Sequence, residues 1–96
     1  MSVERVPTDL SRFLRDERKR LEKSLDELAA MLTVVLHADP AISKSTISTW
    51  ETGKRLISPP TLDAIGRVFG WDDDTRQRVA MLYQEASLGR SKRKAA

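Results

Sequence analysis

Hydroxyl and basic side chains crowd into one short segment of the chain, residues 43–55, which reads SKSTISTWETGKR. A lysine there can donate hydrogen bonds to guanine O6 and N7, and small hydroxyl groups can reach base edges or phosphate oxygens. Serine also caps ordinary surface helices, so the hydroxyl groups alone admit a purely structural interpretation. The segment therefore offers hydrogen bonding to a polar partner rather than covalent chemistry.

The rest of the sequence offers little for catalysis or metal binding. Cysteine is absent and His37 is the only histidine, so thiolate nucleophiles, disulfides and cysteine-based zinc sites are excluded. The acidic run at residues 72–74 could suggest a magnesium site, but the start of a helix explains it more simply. We therefore expect no enzyme activity, no metal and no cofactor.

Length and charge favour one small domain with an anionic partner. The 96 residues leave no room for a second independent domain, and 40% hydrophobic with 32% charged residues is typical of a soluble globular protein. The net charge of +3 favours an anionic partner but is too small to identify it. Residues 1–10 form no long apolar run, which indicates neither a secretory signal nor a membrane anchor. A cytoplasmic location without membrane contact is expected.

The first two helices have clear start signals. Thr8 can cap a helix that ends near Lys23, and Ser24 with Glu27 forms a capping box that begins helix two. Apolar residues then recur at helical spacing, and the run continues until Asp39-Pro40 must interrupt it. Helix two is therefore expected to be apolar on nearly every side.

Two shorter helices follow. Ser43 offers a cap for a helix over about residues 44–52, and Gly53 can supply the left-handed residue that ends it. Thr61 is expected to cap helix four, which stops at Gly70. The residue after that glycine is a tryptophan, which is expected to fold back over the last turn of helix four.

A fifth helix completes the predicted domain. It begins at the acidic run 72–74 and should end near Gly89. No segment alternates with the period of a strand, so the predicted fold class is all-α, a compact five-helix domain. The expected divisions are an N-terminal extension at 1–8, the helical domain at 9–89 and a basic disordered tail at 90–96.

An ordered pattern of residues follows Ser43, namely Ile47, Ser48, Trp50, Glu51, Gly53 and Lys54. This order resembles the Xre family of bacterial and phage repressors, in which an Ile-Ser pair precedes an apolar residue, Glu, Gly and a basic residue. The likeness extends from about Leu10 to Ala86. It implies a lambda-repressor-like helix-turn-helix domain whose third helix lies in the major groove of DNA, while the second braces it across the backbone.

The resemblance and the side-chain chemistry indicate the same contacts with double-stranded DNA. Ile47 and Trp50 occupy the inner face of helix three and are assigned to the core. The expected recognition residues are Ser43, Lys44, Ser45, Thr46, Ser48 and Thr49. Contacts to the DNA backbone are expected from Ser24, Lys54 and Arg55.

Glu51 is an unusual residue for a surface that meets phosphate. Its counterpart in the Xre family pairs with an arginine of helix one, which here is Arg18. The resemblance therefore implies a structural ion pair between helices one and three. Two separately solvated charges are the alternative.

Two features depart from the family pattern. Leu25 stands where a glutamine often holds a phosphate, so one contact of the family is in doubt. The connection at residues 33–41 is also longer than the family's tight turn. Its apolar side chains either form a protein interface or extend helix two and pack on helix five or Ile42. These side chains are Val34, Val35 and Leu36.

The function expected from these features is transcriptional regulation by a repressor that binds an inverted repeat as a homodimer. One short helix reads only a few base pairs, so selectivity normally needs two half-sites. Dimer contacts could come from the helix-two extension (Val34, Val35, Leu36) or from helix five (Val79, Leu82, Tyr83). The alternatives are an antitoxin or adaptor that binds a second protein through that extension, and the DNA-binding part of a longer bacterial or phage regulator.

Overall fold

Five α-helices follow one another in the computed structural model, which describes the backbone of residues 8–95 and the side chains of residues 8–88. They are α1 (Asp9–Arg20), α2 (Leu25–Leu36), α3 (Lys44–Glu51), α4 (Pro59–Phe69) and α5 (Asp73–Ala95). No strand occurs in the part of the chain that is described. The predicted all-α, five-helix fold is confirmed. Apart from Thr8, the expected N-terminal extension lies outside the described residues.

The first three helices begin where their capping residues predict. The hydroxyl oxygen of Thr8 accepts a hydrogen bond from the amide of Ser11 at 3.0 Å. The hydroxyl oxygen of Ser24 accepts one from the amide of Glu27, also at 3.0 Å. The Glu27 carboxylate in turn accepts the Ser24 amide at 2.8 Å, which completes the capping box. Ser43 caps α3 in the same way. These contacts satisfy amides that lack a partner within the helix.

Helix α4 begins earlier than expected. Its N-cap is Ser58 rather than Thr61, and Pro59 and Pro60 occupy its first turn. Proline is tolerated there because the first amides of a helix have no partner within the helix. The Thr61 hydroxyl lies 2.8 Å from that of Ser58 instead of capping the helix itself. The helix ends, as predicted, at Gly70, where φ is +71°.

Three other helix ends differ from the expected positions. Helix α1 stops at Arg20, because Glu22 adopts a φ of +55°. Helix α2 stops at Leu36, and His37 has a φ of +51°. Helix α5 continues to Ala95, past Gly89, because a glycine without positive φ weakens a helix but does not end it. Most of the expected basic tail is therefore helical backbone, and its side chains lie outside the described part.

Side chains from the middle three helices and one loop meet at the centre of the core. Leu28 and Leu32 of α2, Ile47 of α3 and Ile65 of α4 are all fully buried, together with Ile57 of the α3–α4 loop. This arrangement anchors α3 by its inner face. On its outer face, Lys44 and Ser45 are exposed.

Trp71 folds back over α4, as predicted. Its amide donates to the carbonyl oxygen of Gly66 at 3.0 Å, and its side chain is buried. Its indole Nε1 donates to Glu17 on α1 at 2.9 Å, and its ring lies 5.8 Å from that of Phe13. Trp71 therefore joins the end of α4 to α1.

Among the described residues, no helix has the length and apolar character that crossing a membrane requires.

Candidate nucleic-acid interface

The first turn of α3 is the most accessible part of the expected recognition segment. Ser43, Lys44 and Ser45 are exposed, whereas Ile47 is 1% exposed and packs into the core. Thr46, Ser48 and Thr49 are half-buried. The helix therefore presents its N-terminal turn outward, and small polar side chains there would let it approach a partner closely.

Hydrogen bonds within α3 distinguish its hydroxyl groups. The Thr49 hydroxyl donates its only proton to the Thr46 carbonyl oxygen at 2.6 Å. The Ser43 hydroxyl lies 3.0 Å from that of Ser45 and 3.1 Å from that of Thr46. Lys44 forms no ion pair within the described residues. Because an ammonium group donates three hydrogen bonds, Lys44 is the strongest donor at this end of the helix.

Thr52 is a candidate contact that the sequence pattern did not single out. It follows the last residue of α3, is exposed, and donates its hydroxyl proton to the Ser48 carbonyl oxygen at 2.8 Å. The spacing of Ser45, Thr49 and Thr52 places them on one helical face. That spacing was the signal that could have identified Thr52.

Arg18 and Glu51 form the ion pair that the resemblance implied. Arg18 Nε donates to Glu51 Oε2 at 2.7 Å and Nη2 donates to Oε1 at 2.9 Å, and the two side chains are only 12% and 7% exposed. The hydrogen bond to Glu51 raises the pKa of Arg18 against the opposing effect of burial. Arg18 Nη1 also donates to the carbonyl oxygen of Lys23 at 2.9 Å. One guanidinium thus links α1, the turn before α2 and the end of α3.

The start of α2 is exposed but already occupied by its own cap. The Ser24 hydroxyl oxygen accepts a hydrogen bond from the Glu27 amide, and the Glu27 carboxylate accepts one from the Ser24 amide. The backbone hydrogen bond from Ser24 lowers the pKa of Glu27, so this group is anionic at neutral pH. Leu25 is half-buried against the core and offers no polar contact. A phosphate near Ser24 would therefore meet a negative charge.

Two exposed basic residues directly follow α3. Lys54 and Arg55 both lie on the surface, and the Arg55 amide donates to the Thr49 carbonyl oxygen at 3.2 Å. This bond folds the loop back against α3 and keeps both cations beside it. They could reach a phosphate backbone from that position.

The residues proposed for a protein interface divide into exposed and buried ones. Val34 is 72% exposed, but Val35 and Leu36 are half-buried against the core, so the end of α2 packs mainly within the chain. The assignment of Val79 is wrong, because it is 3% exposed and belongs to the core. Leu82 and Tyr83 are half-buried against the same core.

Helix α5 instead exposes two apolar residues that the sequence pattern missed. Met81 and Leu88 are 64% and 63% exposed and lie on one helical face, because their spacing is two turns. Met81 borders a groove of about 460 Å³ between α4 and α5, which Pro59, Leu62 and Tyr83 also line. The spacing of seven residues between Met81 and Leu88 could have indicated this face. The buried residues Val79 and Ala86 have the same spacing, so the sequence does not show which of the two faces is exposed.

No group of three or more acidic, histidine or cysteine side chains is placed to hold a metal ion within the described residues. The candidate binding surfaces are the exposed first turn of α3, the cations Lys54 and Arg55 that follow this helix, and the exposed apolar residues of α5.

A comparison with known protein families identifies the chain over most of its length. Residues 9–79 match the family described as helix-turn-helix domain. The matched segment includes both α2 and α3. The chain belongs to this family and is a DNA-binding domain of the helix-turn-helix class, which is typically non-enzymatic. No curated protein and no solved structure matches the chain.

Proposed function

We propose that the chain is a sequence-specific transcriptional regulator of the Xre type that reads duplex DNA with α3 in the major groove. The exposure of Lys44 and Ser45 at the start of α3, opposite the buried Ile47, is the observation that carries this proposal. Lysine donates to guanine in the major groove, and serine accepts or donates at either base edges or phosphates. Lys54 and Arg55 would position the domain on the backbone without reading sequence.

The regulator would act as a repressor from an inverted repeat. A helix of 8 residues reads only a few base pairs, so selectivity against a genome favours two copies on half-sites about one helical turn apart. A repressor needs only to occupy its site, which a DNA-binding domain can do without a second function. The exposed Met81 and Leu88 on α5 are better candidates for dimer contacts than the buried Val79.

Selection of binding sites from a random duplex library tests this proposal directly. We expect an enriched site with two inverted half-sites, and protection of both half-sites in a footprint. A reporter gene with the site inside its promoter should be silenced when the protein is expressed. Enrichment of no sequence would overturn the proposal, and activation of the reporter would overturn the repressor assignment alone.

A second candidate function is an antitoxin or adaptor that binds another protein. The exposed Val34 at the end of α2 favours it, because a large aliphatic side chain in water is suited to burial in a partner. The DNA-binding part of a longer regulator is compatible with either function. Retention of repression by Val34→Asp would argue against a role for this surface in the regulator.

A further inference from the structure

Thr33 of α2 holds both ends of the connection that leads into α3. Its carbonyl oxygen accepts the amide of Ala38 at 3.0 Å, just after α2 ends. Its hydroxyl oxygen accepts the amide of Ile42 at 3.0 Å, just before α3 begins. The hydroxyl proton goes to the carbonyl oxygen of Ala29 at 2.7 Å. With that proton committed, the oxygen can act towards Ile42 only as an acceptor.

The position of the first turn of α3 depends on where Ile42 is held. Ile42 is half-buried against the core and directly precedes Ser43, the residue whose hydroxyl caps α3. The connection of residues 37–43 is irregular backbone, so ordering it is entropically unfavourable. Each hydrogen bond that holds the connection in place therefore contributes to its position. Holding Ile42 therefore limits how far the first turn of α3, with the short side chain of Ser45, can move relative to α2.

We propose that Thr33 is a positioning residue for sequence reading, which acts through Ile42 and does not itself contact DNA. This inference rests on the proposed function. Hydrogen bonds to base edges from a short side chain such as that of Ser45 depend on placement to within a fraction of an ångström, whereas long cations such as Lys54 tolerate a displaced backbone. The loss of the Thr33 hydroxyl should therefore reduce discrimination between sequences more than it reduces general affinity for duplex DNA.

The test compares Thr33→Val, which keeps the shape but removes the hydroxyl, with Thr33→Ser, which keeps the hydroxyl. Thr61→Val is the matched control, because its hydroxyl bonds only to the Ser58 side chain at the start of α4. Affinities for the selected site and for a scrambled duplex are measured at one salt concentration, at a temperature where all variants are folded. Amide hydrogen exchange of Ile42 is measured without DNA.

For Thr33→Val we expect the ratio of the two affinities to fall about fivefold. This change corresponds to the loss of one neutral hydrogen bond between the first turn of α3 and a base. Exchange of the Ile42 amide should accelerate. Thr33→Ser and Thr61→Val should retain the ratio and the slow exchange. An unchanged ratio or unchanged exchange in Thr33→Val, or an equal loss of both affinities, would overturn the inference alone. A wild-type protein without sequence preference would instead overturn the proposed function, and this inference with it.

Discussion

Arg18 and Glu51 join α1 to the last residue of α3 through two parallel hydrogen bonds of 2.7 and 2.9 Å. Both side chains are almost removed from water, so each charge depends on the other for its solvation. The same guanidinium also holds the Lys23 carbonyl oxygen in the turn before α2. The pair thus fixes the end of α3 against two other parts of the fold.

Removing one partner of this ion pair should destabilise the fold strongly. Arg18→Ala leaves a buried carboxylate without compensation, and we expect a loss of about 3 kcal/mol in the free energy of unfolding. Urea unfolding of Arg18→Ala, Glu51→Gln and the double variant measures the coupling in a double-mutant cycle. Arg12→Ala is the control, because its pair with Asp9 is exposed and should contribute less than about 1 kcal/mol. Additive effects of the two single substitutions would contradict the coupling.

Substitution of Lys44 should impair discrimination between DNA sequences. Lys44→Ala removes an exposed donor from the first turn of α3, and we expect a loss of about 1 to 3 kcal/mol at one base position with no change in the fold. Binding to the selected site and to its single-base variants, at one salt concentration, measures this loss. Ser45→Ala and Thr49→Ala should have smaller effects at neighbouring positions. If all three variants keep the wild-type preference, α3 is not the reading element.

Substitution of Lys54 should weaken binding to every duplex alike. Lys54→Ala removes a cation next to α3 that we assign to a phosphate contact, and each such contact releases about 0.9 of a counterion. The slope of log affinity against log salt should therefore fall by about one unit. Titrations of a selected and a scrambled duplex at several salt concentrations measure both slopes. A change in sequence preference instead would show that Lys54 reads bases.

Acid should destabilise the protein partly through Glu17. Hydrogen bonds from Arg20 lower the pKa of Glu17 below its ordinary value of 4.5; burial opposes this effect, and the hydrogen bond from Trp71 lowers the pKa further. A carboxylate with a lower pKa in the folded chain contributes stability above its unfolded pKa and loses it as the pH falls through the folded pKa. We expect the stability of the wild type to decline as the pH falls below about 4.5.

Glu17→Gln tests this origin of the acid sensitivity. The variant should be less stable than the wild type at neutral pH and should decline less on acidification, as measured by urea unfolding at a series of pH values. Glu27 and Asp72 also have lowered pKa values, so part of the decline should remain. Asp16→Asn, which changes an exposed carboxylate of the same helix, is the control. An equal decline in Glu17→Gln and the wild type would exclude this contribution.

Local interactions explain what could be predicted from the sequence. The caps at Thr8, Ser24 and Ser43 and the helix end at Gly70 depend on residues within one turn, so residue type and spacing determined them. The helical spacing of apolar residues likewise determined the all-α fold. The ion pair of Arg18 with Glu51 spans distant parts of the chain, and only the family resemblance predicted it.

Tertiary packing decided which surface of each helix is covered. Val79 and Met81 are both apolar residues of α5, but only the packing of α5 against the rest of the chain buries the first and leaves the second exposed. In the same way, only the return of the chain at Ile42 places its amide on the Thr33 hydroxyl. Periodicity along a helix shows which residues share a face, but it carries no information about what lies against that face, because those contacts come from residues far away in the sequence.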